Sequence, residues 1–356
     1  MRNILVTGGA GFIGTNFARL CLAHRPEVQV VVYDAITYAG CIASLEDLLS
    51  NPSFAFVHGD IRNDALVRQV LTSYNIDTIV HFAAESHVDR SIDGPDIFLD
   101  TNVQGTHVLL KASRDIWETR PADTVRFHHV STDEVYGSLG PHDPAFHELT
   151  PYAPNSPYAA SKAASDHLVR AYHHTYGLPV TTTNCSNNYG PYHFPEKLIP
   201  LALTRALLGQ VIPLYGDGKN IRDWLYVEDH CRGILRVLED GHVGETYNIG
   251  GHNEWSNRDV LELLTGLIDE AFVTEPGLAA HFPKCPAAAG KGTSSLITPV
   301  TDRLGHDRRY AIDASKIRTQ LGFCPEESFA SGIRKTVHWY LTHEAWWRPL
   351  LRHSEC

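Results

Sequence analysis

Two short segments of the chain carry side chains that are suited by type and spacing to acid–base catalysis. Thr132, Asp133 and Glu134 follow an apolar run that predicts a buried parallel strand. Tyr158 and Lys162 come next, four residues apart in a helical pattern, so they share one helix face. Ligands of open α/β sheets bind beyond the carboxyl ends of the strands, and we therefore expect these five side chains to converge on one crevice.

The tyrosine and the lysine are typical of a proton-transfer pair. A free tyrosine titrates at about pH 10, and a neighbouring positive charge favours the phenolate. We expect Lys162 to lower the pKa of Tyr158 and to make it a usable base near neutral pH. A surface pair without a catalytic role is the alternative, since this spacing alone also occurs by chance. The acidic segment at the preceding strand end favours catalysis.

The N-terminal residues predict a dinucleotide-binding unit. A β-rich run at 3–7 ends in a glycine-rich turn at 8–14, which is followed by an amphipathic helix and by a second strand that ends at Asp34. The glycines permit a tight turn, so that a diphosphate can lie on the helix N-terminus. Asp34 is placed to accept hydrogen bonds from ribose hydroxyls and to repel a 2′-phosphate. The sequence therefore predicts NAD rather than NADP as the cofactor.

Strands and helices alternate along the first half of the chain, which predicts an α/β fold with a doubly wound parallel (Rossmann) sheet. We assign residues 1–186 to this NAD-binding domain and expect residues 223–249 to return to it. A polar and aromatic loop after Ser186 begins a smaller α/β substrate-binding lobe, assigned to 187–222 and 250–356. Its stretch at about 274–299 is rich in small residues and predicts a long, mobile surface loop.

Composition narrows the function classes. A formal net charge of −11 without a Lys/Arg-rich run disfavours nucleic-acid binding. Seven scattered cysteines without a Cys-x-x-Cys pair predict reduced thiols in the cytoplasm. No apolar run is long enough to span a membrane, and the N-terminus lacks a signal-peptide pattern. The 21 histidines contain no His-Glu-x-x-His motif, so no metal site is expected.

Eight motifs recur together in one known family of enzymes. They are GGAGFIG at 8–14, DAITYAG at 34–40, AAESHVDRSI at 83–92, STDEVYG at 131–137, YxxSK at 158–162, CSNNYGPYHFPEKLIP at 185–200, GDGKNIRDWLYVEDH at 216–230 and DRLGHDRRYAID at 302–313. On these motifs the sequence resembles the extended short-chain dehydrogenase/reductase superfamily and, within it, the dTDP-D-glucose 4,6-dehydratase family. The Asp-Glu pair after Thr132 is the specific part, because epimerases of this superfamily usually lack it.

The resemblance implies an NAD-dependent hydro-lyase that converts dTDP-D-glucose into dTDP-4-dehydro-6-deoxy-D-glucose and water. Tyr158, assisted by Lys162 and Thr132, would take the proton of the sugar 4-hydroxyl as C4 is oxidised. Glu134 would then abstract the C5 proton, while Asp133, held protonated, would give a proton to the departing C6 hydroxyl. Two neighbouring carboxyl groups suit this chemistry because their mutual repulsion separates their pKa values.

The resemblance also implies the residues that hold each ligand. Those implied for NAD are Gly8, Gly11, Phe12, Ile13, Gly14, Asp34, Asp60, Ile61, Ala83, Thr101, Tyr158, Lys162 and Asn188. Those implied for the sugar nucleotide are Ser86, Thr132, Asn187, Glu196, Lys197, Arg222, Asn257, Asp302 and His306. We expect Arg222 on the diphosphate, where a planar cation with several donors suits paired oxygens. Family members are usually homodimers joined through a long helix, here at about 95–119, and the helix that carries Tyr158.

Two alternatives remain open at this stage. A nucleotide-sugar 4-epimerase would use Tyr158 and Lys162 but would need no acid–base pair beside them. A protein that binds NAD without turnover is the other, since a fold does not by itself imply a function. Leu304 stands where the family often has proline, which leaves the preference for thymine over uracil open.

Overall fold

The computed structural model describes residues 1–302 and 306–351. The strands are β1 (Asn3–Thr7), β2 (Gln29–Asp34), β3 (Phe54–His58), β4 (Thr78–His81), β5 (Arg126–Thr132), β6 (Val180–Cys185), β7 (Asn187–Tyr189), β8 (Ile212–Tyr215), β9 (Ile221–Tyr226), β10 (Thr246–Ile249), β11 (Glu254–Ser256) and β12 (Ile297–Val300). The helices are α1 (Phe12–His24), α2 (Asp64–Ser73), α3 (Val88–Asp93), α4 (Asp96–Phe98), α5 (Thr106–Trp117), α6 (Pro157–Tyr176), α7 (Leu198–Leu207), α8 (Val227–Asp240), α9 (Asn257–Thr274), α10 (Gly277–His281), α11 (Ser315–Leu321), α12 (Phe329–Thr342) and α13 (Glu344–Leu350). None of these helices is long and apolar enough to cross a bilayer.

A parallel seven-stranded sheet forms the first lobe. Its strand order is β10-β6-β5-β4-β1-β2-β3, and every neighbouring pair is parallel. The order reverses direction between β1 and β4, which is the topology of doubly wound nucleotide-binding sheets. The predicted Rossmann fold is therefore confirmed. The seventh strand, β10, returns to the sheet beside β6 after the chain has passed through the second lobe.

Apolar residues on both faces explain why this sheet is covered on both sides. In β1, Ile4 and Val6 belong to one buried cluster and Leu5 to the other, as the alternation of a strand requires. Helices α1 and α8 supply side chains to the first cluster, and α2, α5 and α6 supply them to the second. The strands are thus buried on both faces, and their carboxyl ends open towards the second lobe.

The second lobe has its own apolar core around two small sheets. One sheet has the order β11-β9-β7, and the other pairs β12 with β8. Side chains of α7, α9 and α12 fill the core between them, together with the fully buried Trp347 of α13. Because β9 pairs within this lobe, the chain returns to the first lobe only with α8.

The stretch at 274–299 is not the long mobile loop that its composition predicted. It contains α10, two 3₁₀ turns at Pro286–Ala289 and Thr293–Leu296, and the start of β12. Phe282 and Cys285 are buried against α9, whose Asp269 carboxylate accepts hydrogen bonds from Thr293. The first 3₁₀ turn buries none of its side chains and the second buries only Thr293, so the segment has no apolar period that sequence reasoning could detect.

The helix predicted at 95–119 is interrupted. A π-helical segment, Leu99–Gly105, separates α4 from α5. Within it, Asn102 is 1% exposed and ties the helix to the β4 loop: its amide donates to the Glu85 carbonyl and accepts from the Glu85 N–H. Such π segments often lie at functional sites.

Candidate active site

A cavity of about 480 Å³ lies between the two lobes, at the carboxyl ends of the parallel strands. Every residue predicted to bind NAD lines it. The predicted substrate residues that line it are Ser86, Asn187, Glu196, Lys197, Arg222, Asn257 and His306. Of the predicted catalytic residues, Glu134, Tyr158 and Lys162 line the cavity, whereas Thr132 and Asp133 lie behind its wall.

The glycine turn at one end of the cavity has no room for side chains. Gly8 has a φ of +69°, and a Cβ there would lie 2.6 Å from the backbone nitrogen of Ala83. A Cβ on Gly14 would lie 2.4 Å from the carbonyl oxygen of Gly8. Gly11 caps α1 without a side chain, and no acidic residue occupies the first turn of that helix. The helix N-terminus is thus shaped for an anionic group such as a diphosphate.

Two carboxylates stand where the ribose and base of a dinucleotide would lie. Asp34, at the end of β2, accepts hydrogen bonds from the N–H groups of Ala10 at 2.9 Å and Ile36 at 2.8 Å. Burial nevertheless raises the pKa of Asp34. Hydrogen bonds from Arg62 lower the pKa of Asp60 and keep it an acceptor. Asp34 and Asp60 can accept hydrogen bonds from hydroxyl groups, as binding of NAD requires, and the Asp34 carboxylate would repel a 2′-phosphate.

The carboxyl end of β5 and the first turns of α6 hold the predicted catalytic pair. Ser156 caps α6, since its hydroxyl accepts the N–H of Ala159 at 3.1 Å. This places Tyr158 in the first turn, within hydrogen-bonding reach of Thr132. One turn later, the Lys162 ammonium donates to the Val130 carbonyl at 2.9 Å.

The pKa of Tyr158 differs from the expectation. Burial, and after it the negative charge of Glu134, raises the pKa of Tyr158 well above its ordinary value. Burial also lowers the pKa of Lys162. The prediction that Lys162 lowers the pKa of Tyr158 was therefore wrong, because the phenol is enclosed and the ammonium is turned towards a backbone carbonyl. Tyr158 keeps its proton until more positive charge comes close.

The two acidic neighbours have different surroundings. Asp133 is 1% exposed, and its Oδ2 has no hydrogen-bond partner within the described residues. Burial, followed by the charges of Glu134 and Asp223, raises the pKa of Asp133 well above its usual range. Glu134 instead faces the cavity. The site therefore holds one carboxyl group as a neutral acid beside a second one that can reach a ligand.

The second lobe brings cationic and amide groups to the other end of the cavity. The Arg222 guanidinium lies 4.2 Å from the ring centre of Tyr310 and donates to the Asp307 carbonyl at 3.0 Å. The Lys197 ammonium donates to the Ser86 carbonyl at 2.8 Å. Asn187 has a buried amide oxygen without a partner among the described residues.

The last predicted segment is only partly described. His306 lines the cavity, whereas Asp302 does not. The Asp302 carboxylate lies 2.6 Å from Nδ1 of His306. The departure at position 304 lies outside the described residues.

Sequence reasoning missed a group of side chains around the cavity mouth. The Arg90 guanidinium lies 3.9 Å from the ring centre of Tyr38, and Tyr38 lines the cavity. His193 stacks on Phe12 with a centroid distance of 4.0 Å. Residue spacing could not have predicted these contacts, because each joins segments far apart in the chain. The available signal was the motifs at 34–40 and 185–200, which contain Tyr38 and His193.

Comparisons with known proteins agree with this site. A family model described as GDP-mannose 4,6 dehydratase matches residues 5–336. The dTDP-glucose 4,6-dehydratase of Xanthomonas campestris pv. campestris (strain B100) is 55% identical over 354 residues, which cover 99% of this chain and 96% of that relative.

Two solved structures match over nearly the full length. The dTDP-glucose 4,6-dehydratase of Bacillus anthracis in complex with NAD has a TM-score of 0.84 and 45% identity, covering 98% of this chain and 100% of that one. The Streptomyces venezuelae dTDP-glucose 4,6-dehydratase with NAD and TYD bound has a TM-score of 0.84 and 48% identity, and the match covers 98% of this chain and 99% of that one. These matches confirm the resemblance found in the sequence: the chain belongs to the dTDP-glucose 4,6-dehydratase family.

Proposed function

We propose that this protein is an NAD-dependent hydro-lyase that converts dTDP-D-glucose into dTDP-4-dehydro-6-deoxy-D-glucose and water. The observation that carries the proposal is the carboxyl pair: a buried Asp133 with a raised pKa directly precedes Glu134, which faces the same cavity as Tyr158. An epimerase has no use for this pair. The relatives that match nearly the whole chain bear the name of this activity.

The glycine turn, Asp34 and Asp60 would hold NAD. Bound NAD⁺ would supply a positive charge, the acceptor for the C4 hydride and the hydride that returns to C6. Because the cofactor is restored in each cycle, the protein gains nothing from releasing it.

Three side chains would move the protons. Tyr158, in contact with Thr132, accepts the proton of the 4-hydroxyl as C4 is oxidised. The new C4 carbonyl acidifies the C5 proton, which Glu134 removes. Asp133, neutral because of its burial, then gives its proton to the C6 hydroxyl, which leaves as water. Glu134 returns its proton to C5 as the hydride returns to C6.

The second lobe would recognise the nucleotide part of the substrate. Arg222 is held by Tyr310 and the Asp307 carbonyl, so its planar group is oriented before a diphosphate arrives. Asn187 and Lys197 line the same cavity as Arg222 and would offer amide and ammonium groups to hydroxyl and phosphate oxygens. Their roles, like that of Asn257, rest on their place in the cavity wall.

The direct test is mass spectrometry of the purified protein incubated with dTDP-glucose and no added cofactor. The expected result is loss of one water from the sugar nucleotide, since NAD should remain bound through purification. Unchanged mass after NAD is added would overturn the proposal. Product with unchanged mass but inverted C4, detected by sugar NMR, would instead identify an epimerase.

We propose further that the protein is a homodimer. Apolar side chains are exposed on the two predicted dimer helices: Ile97 is 41% exposed, Leu99 52% and Tyr176 52%. Light scattering should give twice the chain mass, and Leu99→Glu should reduce it to that of a monomer. Leu149→Glu, at an 88% exposed position outside these helices, should leave the dimer intact.

We also propose that the protein works in the cytoplasm. The six described cysteines are all free, and four of them are buried. Unpaired thiols are typical of proteins kept in a reducing compartment. Cell fractionation with an antibody against the protein would test this location.

A further inference from the structure

The face of α6 that carries the catalytic pair continues to a third side chain. Tyr158, Lys162 and Asp166 are spaced four residues apart and are all buried. Each meets the end of β5 in register: Tyr158 meets Thr132, and Lys162 meets the Val130 carbonyl. Helix α6 and strand β5 are thus joined at three successive turns, and the proposed mechanism uses only two of them.

Asp166 makes the third junction. The Ser131 hydroxyl donates to its Oδ2 at 2.8 Å, and Nε2 of His129 lies 3.0 Å from its Oδ1. Asp166 therefore lies beneath the catalytic pair, away from the cavity, and touches neither ligand position.

The groups packed around Lys162 are otherwise uncharged near neutral pH. Burial lowers the pKa values of His81 and His129 well below the ordinary range, so both rings are neutral. Burial raises the pKa of Cys185, so the thiol keeps its proton. Burial raises the pKa of Asp166 only to about 6, because Lys162 and Ser131 oppose the rise.

We propose that Asp166 is a positioning residue for the dehydration: its carboxylate keeps the buried Lys162 ammonium charged, and its bond to Ser131 fixes the register of α6 on β5. This inference deepens the proposed function and rests on it for the role of Lys162. A buried ammonium needs a nearby negative charge to stay protonated, since the Val130 carbonyl supplies only a dipole. The same register aligns Tyr158 with Thr132.

Asp166→Asn separates the charge from the hydrogen bonds, because the amide oxygen can still accept from Ser131. We expect kcat to fall about tenfold or more and KM for dTDP-glucose to change less than about twofold. In the profile of kcat against pH, the decline at high pH (the alkaline limb) should begin at lower pH than in the parent, because Lys162 loses its proton more easily. An unchanged kcat together with an unchanged alkaline limb would overturn the proposal.

Asp229→Asn is the matched control. Asp229 is as deeply buried but pairs with Arg232 on α8, outside the site, so its loss should lower stability without moving the alkaline limb. Ser131→Ala keeps the charge and removes only the anchoring bond. If Asp166→Asn does not fold, Ser131→Ala should still lower kcat without moving the alkaline limb, because it loosens the register of α6 on β5 and leaves the charge; an unchanged kcat would overturn the proposal.

A readout without substrate separates this inference from the proposed function. In protein labelled with ¹³C at the lysine Cε, the Lys162 signal is identified by its loss in Lys162→Met. Its titration should move to lower pH in Asp166→Asn and stay in place in Asp229→Asn. If the Lys162 titration moves in Asp166→Asn but the parent protein does not dehydrate dTDP-glucose, the proposed function is rejected and the role of Asp166 is kept. If the Lys162 titration does not move in Asp166→Asn, the role of Asp166 is rejected.

Discussion

At the scale of single residues, burial assigns different tasks to chemically equal groups. Asp133 and Glu134 are neighbours, yet the first is enclosed, with no partner for its Oδ2 among the described residues, and the second faces the cavity. The enclosed carboxyl group favours its neutral form, because burial removes most of the solvation of its charge. An acid and a base can therefore work side by side at the same pH.

Glu134→Gln should stop the reaction after the oxidation of C4. Glutamine keeps the size of the side chain but cannot take the C5 proton, so we expect kcat to fall by about 10²–10⁴-fold. Rapid-mixing absorbance at the wavelength of the reduced cofactor should then show a signal that forms and persists. Dehydration at the normal rate would contradict the role of Glu134 as base.

Asp133→Asn should raise stability while it lowers activity. The pKa of Asp133 is raised by folding, so its contribution to stability is fully present at low pH and is lost as pH rises towards the folded-state pKa. Asparagine has no charge to bury, so we expect the free energy of unfolding at pH 7.5 to rise by roughly 1 kcal/mol. For a chain of 356 residues this raises the melting temperature by about 1–2 °C. The gain should vanish at about pH 3, where aspartate is protonated in both states.

Thermal melts at both pH values would check this prediction. The control is Asp229→Asn, which breaks an ion pair with Arg232 and one of two bonds from backbone N–H groups, because the amide nitrogen cannot accept. It should therefore melt at a lower temperature than the parent at pH 7.5. A lower melting temperature for Asp133→Asn at pH 7.5 would show that burial of its charge is not costly.

At the scale of elements, close backbone approach fixes the shape of the cofactor end. Helix α1 begins directly against the turn that precedes it, and Gly14 is the point of contact with Gly8. In the neighbouring wall, the π segment at Leu99–Gly105 turns Thr101 into the cavity while Asn102 holds the loop after β4. The glycine contact thus brings backbone to the cofactor end of the cavity, whereas the π segment brings the Thr101 side chain to its wall.

The same substitution in two helices should give opposite results. Gly14→Ala would put a Cβ 2.4 Å from a backbone oxygen, so we expect the free energy of unfolding to fall by about 1–3 kcal/mol and NAD binding to weaken. Gly266→Ala, in α9, meets nothing within 4 Å and should raise the free energy of unfolding by about 0.5–1 kcal/mol. Denaturant unfolding and NAD titration would measure both, and equal effects would contradict the packing argument.

At the scale of the whole molecule, the cavity belongs to neither lobe alone. Glycine-turn residues and Tyr158 line it from the first lobe, and Arg222 and Asn257 line it from the second. The C-terminal helix also joins the lobes, since the Trp346 indole N–H donates to the Ser44 hydroxyl at 2.9 Å. A ligand in the cavity should therefore stabilise the entire fold.

Removal of NAD should lower the melting temperature of the protein, and its return should restore it. Saturation at about 100 times the dissociation constant adds about 2.7 kcal/mol to the free energy of unfolding. NADP is the matched control ligand: Asp34 should repel its 2′-phosphate, so NADP at the same concentration should shift the melting temperature less. Equal shifts from the two cofactors would contradict the role given to Asp34.

The elements of the first lobe, the glycine-rich turn, the predicted catalytic pair and the acidic segment could all be recognised from the sequence alone. These features are local: glycines at a strand–helix turn, apolar runs of strand length, and side chains four residues apart on a helix have the same meaning in any context. The resemblance to a known family added the substrate and the cavity residues.

The enclosure of Asp133, the raised pKa of Tyr158 and the packing of residues 274–299 could be found only in the folded structure. The same holds for the π-helical segment within the helix at 95–119 and for the place of Asp166 beneath Lys162. All of these depend on burial and on contacts between segments that are far apart in the chain, and such contacts leave no periodic pattern in the sequence. Burial decides the charge of a side chain, and burial is a property of the fold.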